Sequence, residues 1–153
     1  EARQLDEKLG YVGEIVAIHP APIVDLLEKG YIPVVSTLGC DREGNVYNIN
    51  ADTAAAHIAA ALKAESLINL TDTKGVLADA KDPSSLITRI RLDEIAGLKS
   101  SGVVTGGMIP KLECCAYAVE QGARRAFIID GRVPHSILIE MLTDEGIGTM
   151  VTA

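Results

Sequence analysis

Short runs of β-branched and aliphatic residues alternate along this chain with amphipathic or alanine-rich stretches of helical spacing, and that alternation limits the possible folds more than any motif. Residues 11–19 (YVGEIVAIH) read as a strand, and residues 20–29 carry Ile23, Val24, Leu26 and Leu27 at helical spacing before Gly30 stops them. Residues 31–38 (YIPVVSTL) form a continuous apolar run of the kind found in buried strands, followed by a turn over 39–44. A brief strand over 46–49, an alanine-rich helix over 51–63 and a strand over 66–70 come next. The second half repeats the alternation. Strand signals at 86–91, 125–130 and 147–151 are separated by helices at 92–99, 108–121 and 134–142, with a loop of small residues at 100–107. Strands separated by helices of this length build βαβ units, so the expected fold is α/β, a single-domain three-layer αβα sandwich around a mainly parallel central sheet. In such sheets ligands bind beyond the carboxyl ends of the strands. That rule directs attention to 39–52, 71–77 and 103–111.

Charge and length narrow the function classes. A chain of 153 residues with 48% hydrophobic and 23% charged residues can bury one proper core. The net charge of −7 argues against a broad grip on nucleic acid or on an anionic membrane surface. Its longest apolar run, 54–62, is interrupted by His57 and falls short of the roughly 18 residues a membrane span needs. Cys40, Cys114 and Cys115 are odd in number and form no CxxC pair, the usage of a reducing compartment, so a cytoplasmic location is expected. Cys114 and Cys115 sit in helical sequence and read as core or half-buried packing.

Three constellations stand where chemistry is expected. Asn48, Asn50 and Asp52 precede or open the alanine-rich helix. Capping accounts for one such side chain, but two amides and a carboxylate within five residues exceed what one cap needs. Thr71, Asp72, Thr73, Lys74, Gly75, Val76 and Leu77 follow a strand, and present a hydroxyl and a carboxylate at its edge. That is a place for ribose or phosphate contacts, and equally for an ordinary Asx turn. Val103, Val104, Thr105, Gly106 and Gly107 lead into a helix whose first turn carries Lys111. Glycines before a helix let a phosphate approach backbone donors, and Lys111 would reach a transferring phosphoryl group; the plain alternative is a solvated surface lysine. Neither a GxxxxGK[ST] loop nor a GxGxxG turn is present. His19, His57 and His135 lack metal-ligand spacing, so no metal site is expected.

Taken in order, the blocks LGYVGEI, GYIPVVSTLG, YNINADTAA, LTDTKGVL, GGMIPKL and DEGIGTMV resemble the amino acid kinase family. Within it they are most similar to the enzymes that phosphorylate N-acetyl-L-glutamate, NINAD followed by TGGMxxK being the more specific combination. The resemblance implies a two-lobed enzyme, of which residues 1–153 would be the ATP-binding lobe, with the N-terminal substrate lobe absent. It implies an acyl phosphate product, Mg-ATP with Mg2+ held by the phosphates, and a homo-oligomeric full-length enzyme. It places Lys111 as the lysine that stabilises the transition state and Asp52 as the aspartate that orients it. Asn48 and Asn50 would face the acylated substrate. Thr71–Leu77, Val103, Val104, Thr105 and Gly107 would hold the nucleotide. His135, Glu145 and Gly148 resemble the block that binds an arginine effector in some members.

Two alternatives remain open on the residues alone. One is a relative acting on another carboxylate or on carbamate, such as a carbamate kinase or an aspartokinase. The other is a non-catalytic nucleotide-binding module, against which the presence of both Asp52 and Lys111 speaks. With one lobe only, the chain by itself is expected to be inactive.

Overall fold

A computed structural model describes residues 1–144 and 146–153. Among the described residues three sheets and five α-helices follow one another, with short 3-10 turns at Glu7–Leu9 and Leu92–Glu94. β1 (Ala2–Gln4) pairs antiparallel with β2 (Gly13–Ile15), and β3 (Leu38–Cys40) with β4 (Val46–Asn48). Between them runs α1 (Ala21–Glu28). The remaining strands are β5 (Leu67–Thr71), β6 (Arg89–Arg91), β7 (Ala126–Asp130) and β8 (Thr149–Thr152), joined in the order β5-β7-β8-β6. Helices α2 (Ala51–Ala61), α3 (Ile95–Ser100), α4 (Met108–Glu120) and α5 (Ser136–Leu142) connect them.

The α/β class and the alternation of elements are as the sequence indicates. Within the main sheet β5–β7 and β6–β8 are parallel, while β7 and β8 run antiparallel. Strand β7 (AFIID) is buried along its whole length. Its alternate residues serve two layers, as the period of a strand requires. Ala126 and Ile128 join the core formed with Leu112, Cys115, Ala118 and Val119 of α4 and with Ala56 and Ala59 of α2. Phe127 and Ile129 point to the opposite face, where α5 packs and the Arg125 guanidinium carbon lies 5.4 Å from the Phe127 ring centre.

Two strand expectations are corrected. Residues 31–37 form no strand: Ile32 and Val34 are 90% and 96% exposed, and the first pairing begins only at Leu38. An apolar β-branched run becomes a strand only where another backbone pairs with it, and among the described residues no backbone hydrogen bond involves 32–36. Residues 11–19 likewise contract to Gly13–Ile15. Helix α1 forms as its spacing indicates, yet none of its eight residues is buried.

Helices α2 and α4 position the site. Each ends in a short connection to a strand, α2 to β5 and α4 to β7, so each runs back along its strand with its N-terminus at the strand's carboxyl edge. The two helices are aligned side by side, with contacts of Thr53 to Cys114 and of His57 to Tyr117.

Candidate active site

The small side chains of α2 (ADTAAAHIAAA) let α4 approach it closely, and this brings two helix N-termini together. Each N-terminus carries about half a positive charge and unpaired N–H groups, so the pair forms a platform for an anion. Asn50 caps α2, its side-chain oxygen accepting from Thr53 N at 3.1 Å. No side chain caps α4, which follows Gly106 and Gly107 directly. At this junction Lys111 Nζ donates to Asp52 Oδ2 at 2.8 Å, with both side chains 28% exposed. Fifty-nine residues of sequence separate the two partners, which are held half-sheltered and in hydrogen-bond contact. Asn48 lies on β4, exposed, its N–H donating to Tyr11 O.

The carboxyl ends of β5 and β7 lie at the same end of the molecule. Thr71, the last residue of β5, accepts from Thr73 N through its hydroxyl at 2.9 Å, closing a tight turn that leaves Asp72, Thr73 and Lys74 exposed. Gly131 N donates to Thr71 O and ties the end of β7 to this turn. Gly75 adopts φ +138°, and a Cβ there would stand 2.6 Å from Thr149 Oγ1, so the turn requires glycine. The buried Thr149 hydroxyl accepts from Val76 N at 2.8 Å and donates to Ile87 O at 2.7 Å, locking the end of the loop. Val76 and Val104 are both buried in the main core, which joins the 71–77 and 103–107 loops from beneath. Their side chains therefore pack inward, leaving only their main chain for a ligand. Leu77 and Val103 are half-buried, while Thr105 and Gly107 are exposed.

The structure also shows a pair that the sequence did not single out. Asp130, buried at the end of β7, accepts from Arg132 N and Nε through Oδ1 and from Nη2 through Oδ2, at 2.9, 2.9 and 2.8 Å. Hydrogen bonds from Arg132 hold the Asp130 carboxyl down at about 2. An aspartate ending a fully apolar strand before a glycine was the available signal, for such a carboxylate must find donors. His57 stacks on Tyr117 with ring centres 4.3 Å apart, and burial lowers its pKa. Cys115 is buried, accepts from Asn69 Nδ2, and is pushed up to about 12 by burial, which makes it packing rather than a nucleophile. Cys114 is half-buried, as the helical pattern indicates, and Cys40 is exposed.

Of the effector-type residues, His135 is exposed with φ +59° just before α5, and Gly148 is buried. The N–H groups of Ile147 and Gly148 both donate to Glu140 Oε2, at 2.7 and 3.1 Å. Glu145 lies outside the described residues.

Two apposed helix N-termini, a lysine–aspartate pair between them and a hydroxyl–carboxylate turn on the sheet edge suit phosphate and nucleotide. The amino acid kinase family model matches residues 1–130. The chain belongs to the amino acid kinase family. Within the family, acetylglutamate kinases are prominent among its relatives. The enzyme of Thermoanaerobacter sp. is 56% identical over 143 residues, and that of Heliobacterium modesticaldum 52% over 143 residues. Each match takes in 94% of this chain and 48% of the relative, so the chain spans about half the length of the curated relatives it matches. Among solved structures, N-acetylglutamate synthase from Neisseria gonorrhoeae, complexed with coenzyme A and L-arginine, aligns with a TM-score of 0.86 at 28% identity. That alignment covers 99% of this chain and 35% of the synthase. Carbamate kinase from Giardia lamblia shares the fold at a TM-score of 0.68 and 19% identity, covering 92% of this chain and 50% of its own. Among the described residues no helix is long and apolar enough to cross a membrane.

Proposed function

We propose that this chain is the nucleotide-binding half of an acetylglutamate kinase, which transfers the γ-phosphoryl group of Mg-ATP to the side-chain carboxylate of N-acetyl-L-glutamate. The observation that carries the reading is the 2.8 Å contact of Lys111 with Asp52 between the N-termini of α2 and α4. The acceptor carboxylate is already an anion at neutral pH, so no general base is needed. What the site must supply is in-line positioning and positive charge against the transferring group. The Lys111 ammonium and the N–H groups of the two helix starts would meet that need, and Asp52 holds the lysine in place. The turn Thr71–Asp72–Thr73–Lys74–Gly75 and the loop Val103–Gly107 would hold the adenosine and phosphates, and Mg2+ would arrive with the nucleotide. Asn48 and Asn50 would face the acylated substrate. Assembly as a homo-oligomer, a cytoplasmic location and an arginine effector bound near His135, Glu145 and Gly148 belong to the same proposal and rest on the resemblance.

In the complete enzyme Lys111→Ala is expected to lower kcat about a hundredfold, on the order of 3 kcal/mol, while KM for the acceptor changes little. A kcat within threefold of wild type would reduce Lys111 to a surface lysine. A second reading is a non-catalytic nucleotide-binding module, since the fold also occurs in a protein named as a synthase and not as a kinase. That reading expects Mg-ADP binding with no dependence of any turnover on Lys111. Titration of the chain with Mg-ADP should show weak one-site binding, and hydroxamate trapping of acyl phosphate by the chain alone should stay at background.

A further inference from the structure

Strands β5 and β7 lie side by side with Thr71 opposite Asp130, so the residues that follow them leave the sheet together at one edge. Gly131 N donates to Thr71 O, and a Cβ on Gly131 would stand 3.2 Å from Leu70 Cβ. The connection from β7 to α5 therefore crosses the end of β5 at contact distance, beside the turn 71–75. On this connection Asp130 holds Arg132 edge-on, Oδ1 accepting from Nε and Oδ2 from Nη2. The Asp130 side chain is 8% exposed and that of Arg132 68%. A buried carboxylate thus fixes the plane of a guanidinium that is open to solvent. Hydrogen bonds from Arg132 lower the Asp130 pKa most, and the Lys74 charge lowers it further. The bond to Asp130 likewise raises the pKa of Arg132, with the Asp72 charge adding to it. The pair is therefore within electrostatic reach of both charged side chains of the turn. Satisfying Asp130 needs only donors, which a hydroxyl or main-chain N–H groups would supply. It does not need a flat cation left uncovered at the edge where ligands of such sheets collect.

We infer that Arg132 is the base-contacting residue of the nucleotide site, its fixed guanidinium plane stacking on the purine. The inference rests on the nucleotide reading of the 71–75 turn and adds which end of the nucleotide lies where. Lys111 and the N-termini of α2 and α4, which suit the phosphates, belong to the helices packed on one face of the sheet. Arg132 opens the connection to α5, which packs on the other face. A nucleotide laid across the sheet edge with its phosphates at Lys111 brings its base, and not its phosphates, to Arg132. Asp72 in the turn between them suits ribose hydroxyls, which donate to a carboxylate. Charge points the same way. Pairing with Asp130 offsets the positive charge that a phosphate would seek and leaves the flat faces of the guanidinium for a π system.

The test is titration of the chain with Mg-ADP, with Mg-pyrophosphate and with the fluorescent analogue etheno-ADP, whose emission responds to stacking. The sequence contains no tryptophan to interfere. Arg132→Ala is expected to weaken Mg-ADP binding about tenfold, to abolish the change in etheno emission, and to leave Mg-pyrophosphate binding unaltered. Arg132→Lys should lose as much, because it keeps the charge and removes the plane. Arg132→Ala strips a buried carboxylate of its donors, so the double variant Asp130→Ala with Arg132→Ala, which removes both partners, is measured beside it. A cooperative urea transition shows that this variant is folded, and the same tenfold loss is expected of it. The inference is overturned if Arg132→Lys or the folded double variant binds Mg-ADP within about threefold of wild type. It is equally overturned if Mg-pyrophosphate loses as much affinity as Mg-ADP. In both cases wild-type binding of Mg-ADP persists and the nucleotide reading stands. A wild-type chain that binds no Mg-ADP overturns that reading, and this inference with it.

Discussion

Residues 31–35 (YIPVV) and 126–130 (AFIID) are both short, mostly apolar runs, yet one is among the most exposed segments of the molecule and the other is buried throughout. Strand β7 has β5 on one edge and β8 on the other, α4 over one face and α5 over the other. The run at 31–35 has no strand on either edge among the described residues. The difference lies in neighbours. Hydrophobicity states that a segment gains by burial, about 25 cal/mol for each Å² removed from water, but it does not supply the surface that buries it. A helix satisfies its own backbone and so forms without a partner strand, which is why α1 is present although none of its residues is buried. A strand cannot.

Substitutions break or sharpen this contrast. Leu112→Ala, at a fully buried position of α4 over the main sheet, is expected to cost about 2–5 kcal/mol in urea unfolding of the chain. A loss under 1 kcal/mol would mean that the α4 core is not the stabilising unit. Gly75→Ala should follow at about 1–3 kcal/mol, because a Cβ would displace the Thr149 hydroxyl and φ +138° disfavours a side chain. If the turn holds nucleotide as proposed, Mg-ADP affinity should fall with it, measurable by calorimetry.

Acid titration probes the end of β7. The folded pKa of Asp130, about 2, is below the unfolded value of about 3.9, so its contribution is full above the unfolded pKa and lost as pH falls toward 2. Asp130→Asn should flatten the stability curve between about pH 4 and pH 2. An unchanged slope there would show that Arg132 does not hold the carboxylate. His57 works over a higher window and is a smaller effect. Burial lowers its pKa, so stability declines as pH falls below about 6.5, and His57→Gln should reduce that decline. Smallest of all is Val34→Ala, expected to change the stability of the chain alone by less than about 0.5 kcal/mol. A larger loss would show that 31–35 is buried in solution, by self-association or otherwise.

The chain's own residues determine the α/β class and the places where most helices begin and end, since caps, glycines and apolar periods act within a few residues of each other. Asn50 caps α2 and Gly30 follows the end of α1 at positions readable from spacing alone. The sequence also marks Asp52, Lys111 and the Thr71–Leu77 turn as places for chemistry, and the blocks around them point to the family. Tertiary structure decided what spacing cannot reach. It set Lys111 against Asp52 across 59 positions, placed the Asp130–Arg132 pair at the sheet edge, and gave the Thr149 hydroxyl to the loop at Val76. It also left 31–37 without a strand, because pairing is a property of two backbones and local sequence describes only one.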